Sequence, residues 1–168
     1  MKKGTLERFV KLARKFGAQD AKVISTKNVF TAPWVRKKCQ FGCDMYGQTL
    51  TCPPYSPAPG ETRKILDSYR TAILVHFDEH SDGTGIIARL EREVFLSGYY
   101  KAFGMGEGPC LFCRKCNLKS CMHTEKARPS MEACGIDVYR TARRNGFHIE
   151  VLKDTACKGN YFGLLLVE

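Results

Sequence analysis

Long apolar runs are missing from this chain. No stretch approaches the roughly 20 apolar residues that a membrane-spanning helix needs. Histidine is scarce, with four, and tryptophan occurs once, so a histidine-rich metal site has few donors to draw on. Acidic side chains are outnumbered, 17 against 27 Lys and Arg, which leaves a formal charge of +10. There is no internal repeat and no low-complexity segment, which sets aside solenoid arrays and disordered tails. There is no long basic block either. The positive residues gather only in "VRKKC", "CRKC" and "TARRNG", and the first two of these groups abut cysteines. That distribution argues against a dedicated nucleic-acid arm and for compensation of a negative cofactor or docking of an acidic partner. The first residues, "MKKGTLERFV", carry no apolar core behind their lysines, so no secretory signal is expected and the protein reads as cytoplasmic.

What the chain has in excess is cysteine: nine in 168 residues. In a reducing compartment clustered thiols point to metal binding or catalysis rather than disulfides, and the odd count fits no simple disulfide framework. Cys134 and Cys157 stand alone, and an isolated cysteine usually behaves as a small apolar side chain. The others fall into two groups. "CQFGCDMYGQTLTCPPYSP" holds Cys39, Cys43 and Cys52, and "PCLFCRKCNLKSC" holds Cys110, Cys113, Cys116 and Cys121.

The length suits one domain, residues 1–168, with a core of its own. Leu6, Phe9, Val10 and Ala13 recur at helical spacing over 5–16, with Thr5 as a cap. "AKVIS" (21–25) and "TAILVHF" (71–77) read as strands, and "FHIEVL" and "YFGLLLV" as two closing strands. Pro33 argues against a regular element in "FTAPWVRKK". Cys39–Gly60 reads as a loop stiffened by Pro53, Pro54, Pro57 and Pro59. Helices are expected over 60–69, with Ile65, Leu66 and Tyr69 inward, and over 85–102, with Ile87, Leu90, Val94, Gly98 and Ala102 on one stripe widened by Phe95 and Tyr99. Ser130 and Asp137 can each cap a short helix, the second ending at Asn145-Gly146. The expected fold is α+β, or three-layer α/β: a mixed sheet of four to five strands with helices packed on it and cysteine-rich loops at one end.

The second cysteine group has the spacing C-x2-C-x2-C-x4-C. Zinc modules usually place two ligands, leave a long gap and place two more. Three cysteines at three-residue steps instead match the ferredoxin run that wraps a [4Fe–4S] cube, which favours iron–sulfur over zinc. Cys121 then closes its own site or reaches across to the first group. The first group, C-x3-C-x8-C, is less familiar. Gly42 and Gly47 allow positive φ angles there, and Tyr46 and Tyr55 either shield a cluster or simply pack the loop. Of His76, His80, His123 and His148, only His123, beside Cys121, is a candidate for a spare coordination position. "GMGEGP" lacks the Lys-Ser/Thr of a phosphate loop and reads as a turn delivering Cys110. Glu132 and Asp137 in "RPSMEACGID" read as a cap or a salt bridge rather than as acid–base groups.

Taken in order, these motifs resemble the DUF2284 family, described as predicted metal-binding proteins. The matching stretches are "CQFGCDMYGQTLTCPPYSP", "GPCLFCRKCNLKSC", "ARPSMEACGIDVYRTARRNG" and "NYFGLLLVE", and the resemblance runs from about residue 34 to 168. The resemblance implies metal or iron–sulfur binding in an anaerobe-like setting and names no reaction. It also implies that Cys134 and Cys157 need not be cysteine, which leaves seven ligands.

Seven ligands divide as four plus three. The expectation is one [4Fe–4S] cluster on Cys110, Cys113, Cys116 and Cys121, and a second on Cys39, Cys43 and Cys52 with one iron free of cysteine. A distant sulfur (Cys121, Cys134 or Cys157) or a non-cysteine ligand are the other ways to complete the second. Two such clusters lower the net charge to about +7. Arg36, Lys37, Lys38, Arg114, Lys115 and Lys119 lie beside the ligands in sequence and would favour the reduced cluster, or are simply solvated. Three functions follow: electron transfer or a redox accessory role, with an acidic flavodoxin-like partner; catalysis at the open iron on a small molecule; and a zinc-stabilised binding module.

Overall fold

"TAILVHF" lies at the centre of the protein because both of its faces are covered. In the computed structural model, which describes residues 3–154 and 157–168, this run is strand β2 (Thr71–Phe77), preceded by β1 (Asp20–Ser25) and followed by β3 (Phe103–Met105) and β4 (Tyr161–Leu166). The four strands make one open sheet in the order β1-β2-β4-β3. Every pairing is antiparallel, with Val23 opposite Ile73, Leu74 opposite Leu164, and Met105 opposite Leu164 on the other side. Residues 72–75 of β2 are fully buried, the continuous apolar run of a strand covered on both sides.

Alternation along the strands sorts the core into two layers. Ile73, Val75, Phe77 and Leu165 face helices α1 (Lys3–Lys15) and α4 (Gly83–Leu96), meeting Phe9, Ala13, Ile87, Leu90 and Val94. Ala72, Leu74, Leu164 and Leu166 face the other way. They meet Leu66 of α3 (Pro59–Asp67), Val138 and Ala142 of α5 (Val138–Arg144), and the intervening Met131 and Ile136. One helix remains, α2 (Pro33–Gly42). The expected α+β architecture of helices packed on a sheet is the one found. No helix among the described residues is long and apolar enough to cross a membrane.

Several local expectations change. Pro33 does not break a segment; it opens α2, because the first helical position needs no amide donor and proline's φ is already helical. Cys39 and Gly42 therefore sit on a helix, and Gly42 has no positive φ, whereas Gly47 does, at 73°. The helix expected over 85–102 stops at Leu96. Ser97 caps it and Gly98 takes φ 98°, which frees residues 103–105 to form β3, a strand the alternation was too short to reveal. Phe95 accordingly stays exposed. "FHIEVL" is not a strand: Phe147 and Ile149 are buried, but the backbone between them is irregular. Asp137 caps α5 through the Arg140 amide, as expected, while Ser130 caps only an isolated turn by accepting from the Ala133 amide. The first helix starts at Lys3, so Thr5 falls inside its first turn, and the Thr5 side chain lies outside the described residues.

The strap at 129–137 positions both cysteine regions. At one end the Gly106 amide donates to Pro129 O (2.8 Å) and the Met131 amide to Gly106 O (3.2 Å), tying the strap to the residues that follow β3. At the other end the Ala32 amide donates to Gly135 O and the Asp137 amide to Phe30 O, tying it to the chain that enters α2. Gly135 has φ 74°, and a Cβ there would sit 2.4 Å from Cγ of Pro59, so this crossing admits only glycine.

Candidate metal centre

The first cysteine group is built from a helix end and a proline-fixed loop. Cys39 lies in the last turn of α2, Cys43 just beyond it, and Cys52 in the turn before Pro53. The loop is closed by the Gly47 amide, which donates to Pro53 O at 2.7 Å. Arg36 fastens it to the strap. Its Nη1 points among Ser56 O, Ser56 Oγ, Pro57 O and Ala133 O at 2.9–3.2 Å, and the Ser56 hydroxyl donates to the same Ala133 carbonyl at 2.6 Å. Arg36 is thus a clamp on the backbone as well as a cation near Cys39. Cys52 is buried, Cys39 half-buried and Cys43 exposed. Burial pushes the Cys39 thiol above its ordinary value, and the nearby charges of Cys43, Glu132 and Cys52 push it the same way, against Arg36.

The second group lies on one surface loop between β3 and the strap. Cys110, Cys113, Cys116 and Cys121 are all half-buried. Burial raises the Cys110 thiol, the Phe112 amide lowers it, and Cys121, Cys116 and Cys113 raise it again, so all four sulfurs share one neighbourhood. The His123 amide donates to Cys121 Sγ at 3.4 Å. The loop's exit is anchored by Arg128, whose Nε and Nη2 each bind a Glu91 carboxylate oxygen at 2.7 Å, while Glu91 also accepts the Gly104 amide.

Among the described residues, no three His, Cys, Asp or Glu side chains are drawn together as a ready-made site for a metal ion. The donor chemistry nonetheless fits a thiophilic metal or cluster, because each group gathers thiols whose charges act on one another, all of them but Cys52 at least partly accessible. The remaining candidates separate clearly. Cys134 is fully buried in the core, where burial lifts its thiol to about 12. Cys157 is exposed, and its Sγ is 3.3 Å from Asp154 Oδ1. His76 stacks on Phe162 and bonds Asn160 at 2.8 Å. His148 and His80 are exposed on the surface, and His123 sits near Glu125 and the Phe112 ring. Tyr55 is exposed and Tyr46 half-buried.

The sequence reading missed two cavities and gave Glu132 the role of a cap or a salt bridge. A cavity of about 1180 Å³ opens beside Cys39 and Cys43, walled by Phe30, Trp34, Ile136 and Tyr139 and rimmed by Lys27, Lys38, Arg140, Arg143 and Arg144. Glu132 reaches the same cavity, where its Oε2 is sealed from water without a hydrogen-bond partner among the described residues. The one sequence signal for it was a lone charge between Met131 and Ala133-Cys134. Glu107, from the glycine-rich turn, lines a second, acidic cavity with Asp78, Asp82 and Cys110.

Glu107 yields a pH prediction. Burial carries its carboxyl from 4.5 to about 7; the Gly83 amide opposes this, and Glu132, Asp82 and Asp78 reinforce it. A raised acid binds its proton more tightly in the folded state. Its contribution to stability is full below pH 4.5 and is lost as pH rises through 7. Glu107→Gln keeps an acceptor for the Gly83 amide and removes the titration. Urea melts should show the variant gaining on the wild type by about 1–2 kcal/mol between pH 5 and pH 8, a value discounted for partial exposure. A constant difference across that window would contradict the assignment.

A family model described as a predicted metal-binding protein (DUF2284) matches residues 22–167. No curated protein and no solved structure matches the chain.

Proposed function

The chain belongs to the DUF2284 family of predicted metal-binding proteins, and from that premise we propose that it is an iron–sulfur protein holding two [4Fe–4S] clusters and transferring electrons. The observation that carries this reading is the division of seven thiols into two electrostatically coupled groups, four on one loop and three around the end of α2. Such a cluster passes single electrons and, where one iron lacks a cysteine, also offers a Lewis-acid position. Amide N–H groups of Phe112 and His123 directed at Cys110 and Cys121 stabilise negative charge on sulfur. Iron and sulfide quantitation with Mössbauer spectroscopy on anaerobically reconstituted protein tests the reading. Eight irons per chain are expected on the two-cube stoichiometry, about four per cluster. Zinc in their place, or four irons only, would overturn it.

The four-cysteine loop carries the features of a docking surface. Arg114, Lys115 and Lys119 are exposed on it, beside exposed Leu111, Leu118 and Met122. An acidic redox protein with an apolar contact patch fits that combination. Reversing all three charges to Glu should slow electron exchange with a flavodoxin-like partner at low salt by about 10-fold or more and flatten the salt dependence. Stopped-flow absorbance would measure both. Unchanged rates at low salt would exclude this face.

A second reading is favoured by the cavity beside Cys39 and Cys43. Its volume of about 1180 Å³ exceeds the usual span of small-molecule sites, about 300–1,000 Å³, and its aromatic wall with a cationic rim suits an apolar body bearing a carboxylate or phosphate. In this reading Arg140, stacked 4.1 Å above Phe30, and Lys38, near Trp34, hold the anionic end while the thiol-bound centre meets the other. Titrating aromatic carboxylates and phosphates into the reduced protein and following its EPR spectrum tests it. If none perturbs either centre, this second reading is lost and the electron-transfer reading stands.

A further inference from the structure

We propose that the Glu132 carboxylate is the non-cysteine ligand of the Cys39/Cys43/Cys52 centre, a proposal that rests on metal binding at those three thiols. Buried carboxylate oxygens are normally paired, because leaving one dry and unpartnered costs several kcal/mol. Glu132 breaks that rule. The residue lines the cavity, burial holds its carboxyl above the ordinary value against the opposing pull of its own amide and the Ser130 hydroxyl, and Oε2 has no partner among the described residues. Arg36 of α2 does not supply one: its Nη1 is held by oxygens of Ser56, Pro57 and Ala133, and Oε2 has no hydrogen-bond partner among the described residues.

The orphan oxygen belongs to a residue that shares its cavity with two of the three thiols. Glu132, Cys39 and Cys43 line one cavity, and Glu132 stands close enough to Cys39 for its charge to raise that thiol. The carboxylate is also held in place before any metal arrives. The strap that carries it is pinned at Gly106, at Ala32 and at Ala133, so little further ordering is needed on binding. Three thiolates and one carboxylate carry the same total charge as four thiolates. The carboxylate is the harder donor and the more readily displaced from iron, so this position would exchange with an anion entering the cavity while the three sulfurs stay bound. Glu107, the other raised carboxyl, does not compete for the role: its Oε1 already accepts the Gly83 amide, and it lines the other cavity.

The test compares wild type with Glu132→Gln and Glu132→Cys, each as metal-free protein and after anaerobic reconstitution with ferrous iron and sulfide. A ligand that is a burden without metal predicts opposite signs in the two states. Metal-free Glu132→Gln should melt above metal-free wild type. After loading, it should lose iron from the three-cysteine centre to a chelator about 10- to 100-fold faster and show a changed Mössbauer site at one iron. Glu132→Cys should retain iron and shift that site toward full thiolate ligation. Unchanged spectra and chelation rates in Glu132→Gln would overturn the proposal, as would a lower metal-free melting temperature, because a carboxylate with a purely structural role behaves that way. Should wild type take up only the four-cysteine cluster, the two-cluster reading fails. Cobalt(II), which needs neither iron nor sulfide, then decides the Glu132 assignment by itself. Tight cobalt binding that Glu132→Gln weakens sustains it, and binding that is absent or indifferent to Glu132 overturns it.

Discussion

Replacing Cys113 and Cys116 together by serine should cut the iron of the reconstituted protein by about half, from roughly eight to roughly four per chain. The loss should be confined to one centre. The four-cysteine loop and the α2 end are separate pieces of chain joined through the strap, and none of the hydrogen bonds that hold the strap involves Cys113 or Cys116. The two residues are half-buried on an irregular loop rather than packed in either core layer, so the double variant should fold and its metal-free melting temperature should move little. Serine oxygen is a poor substitute for thiolate on iron. A variant that kept all its iron would mean that the loop is not a metal site. One that lost all of it would mean that the seven thiols serve a single centre.

The second large effect is expected at Arg128. Its side chain and that of Glu91 are only 15% and 14% exposed, and they meet in a two-bond fork. Two further Arg128 bonds reach Thr124 O and Ala127 O, so this one side chain ties the end of the cysteine loop to α4 and to the edge strand β3. Arg128→Ala leaves the Glu91 carboxylate half-buried without its counter-ion and releases both carbonyls. A loss of about 3 kcal/mol is expected, or roughly 6–12 °C in melting temperature for a domain of this size. The cluster on the same loop should become more accessible to chelator, because its exit segment is no longer pinned. A change in melting temperature below about 2 °C would show that the pair is worth no more than a surface ion pair.

How much of this was readable beforehand differs from element to element. "TAILVHF" and the helix around Phe9 were legible because burial on a sheet or under a helix imposes a period that short windows preserve. β3 was not, because Phe103–Met105 has three residues, the middle one glycine, and Gly106 follows it; it exists because Leu164 and Leu166 offer it a paired edge. Pro33 misled because proline reads as a breaker inside an element and as a starter at its first position, and only the tertiary path of the chain decides which applies. "FHIEVL" alternates like a strand, yet β1 and β4 already occupy both edges of the central strand, so Phe147 and Ile149 dock without a ladder while Val151 and Leu152 stay exposed.

The site divides in the same way. Local sequence was enough to identify Cys39, Cys43, Cys52, Cys110, Cys113, Cys116 and Cys121 as candidate ligands and to group them as three and four, because metal spacing is a short-range property of the chain. It also determined that Cys134 and Cys157 stand apart. Only the tertiary structure decided what surrounds the thiols. It gave Arg36, a cation near Cys39, a second role as a backbone clamp, brought cationic residues of α5 to the cavity beside Cys39, and carried Glu132 across about 90 residues to the first cysteine group. The physical reason is the strap. Its pairings with Gly106 at one end and with Phe30 and Ala32 at the other are long-range hydrogen bonds, and no local pattern of residues encodes a contact whose two halves are separated by most of a sheet.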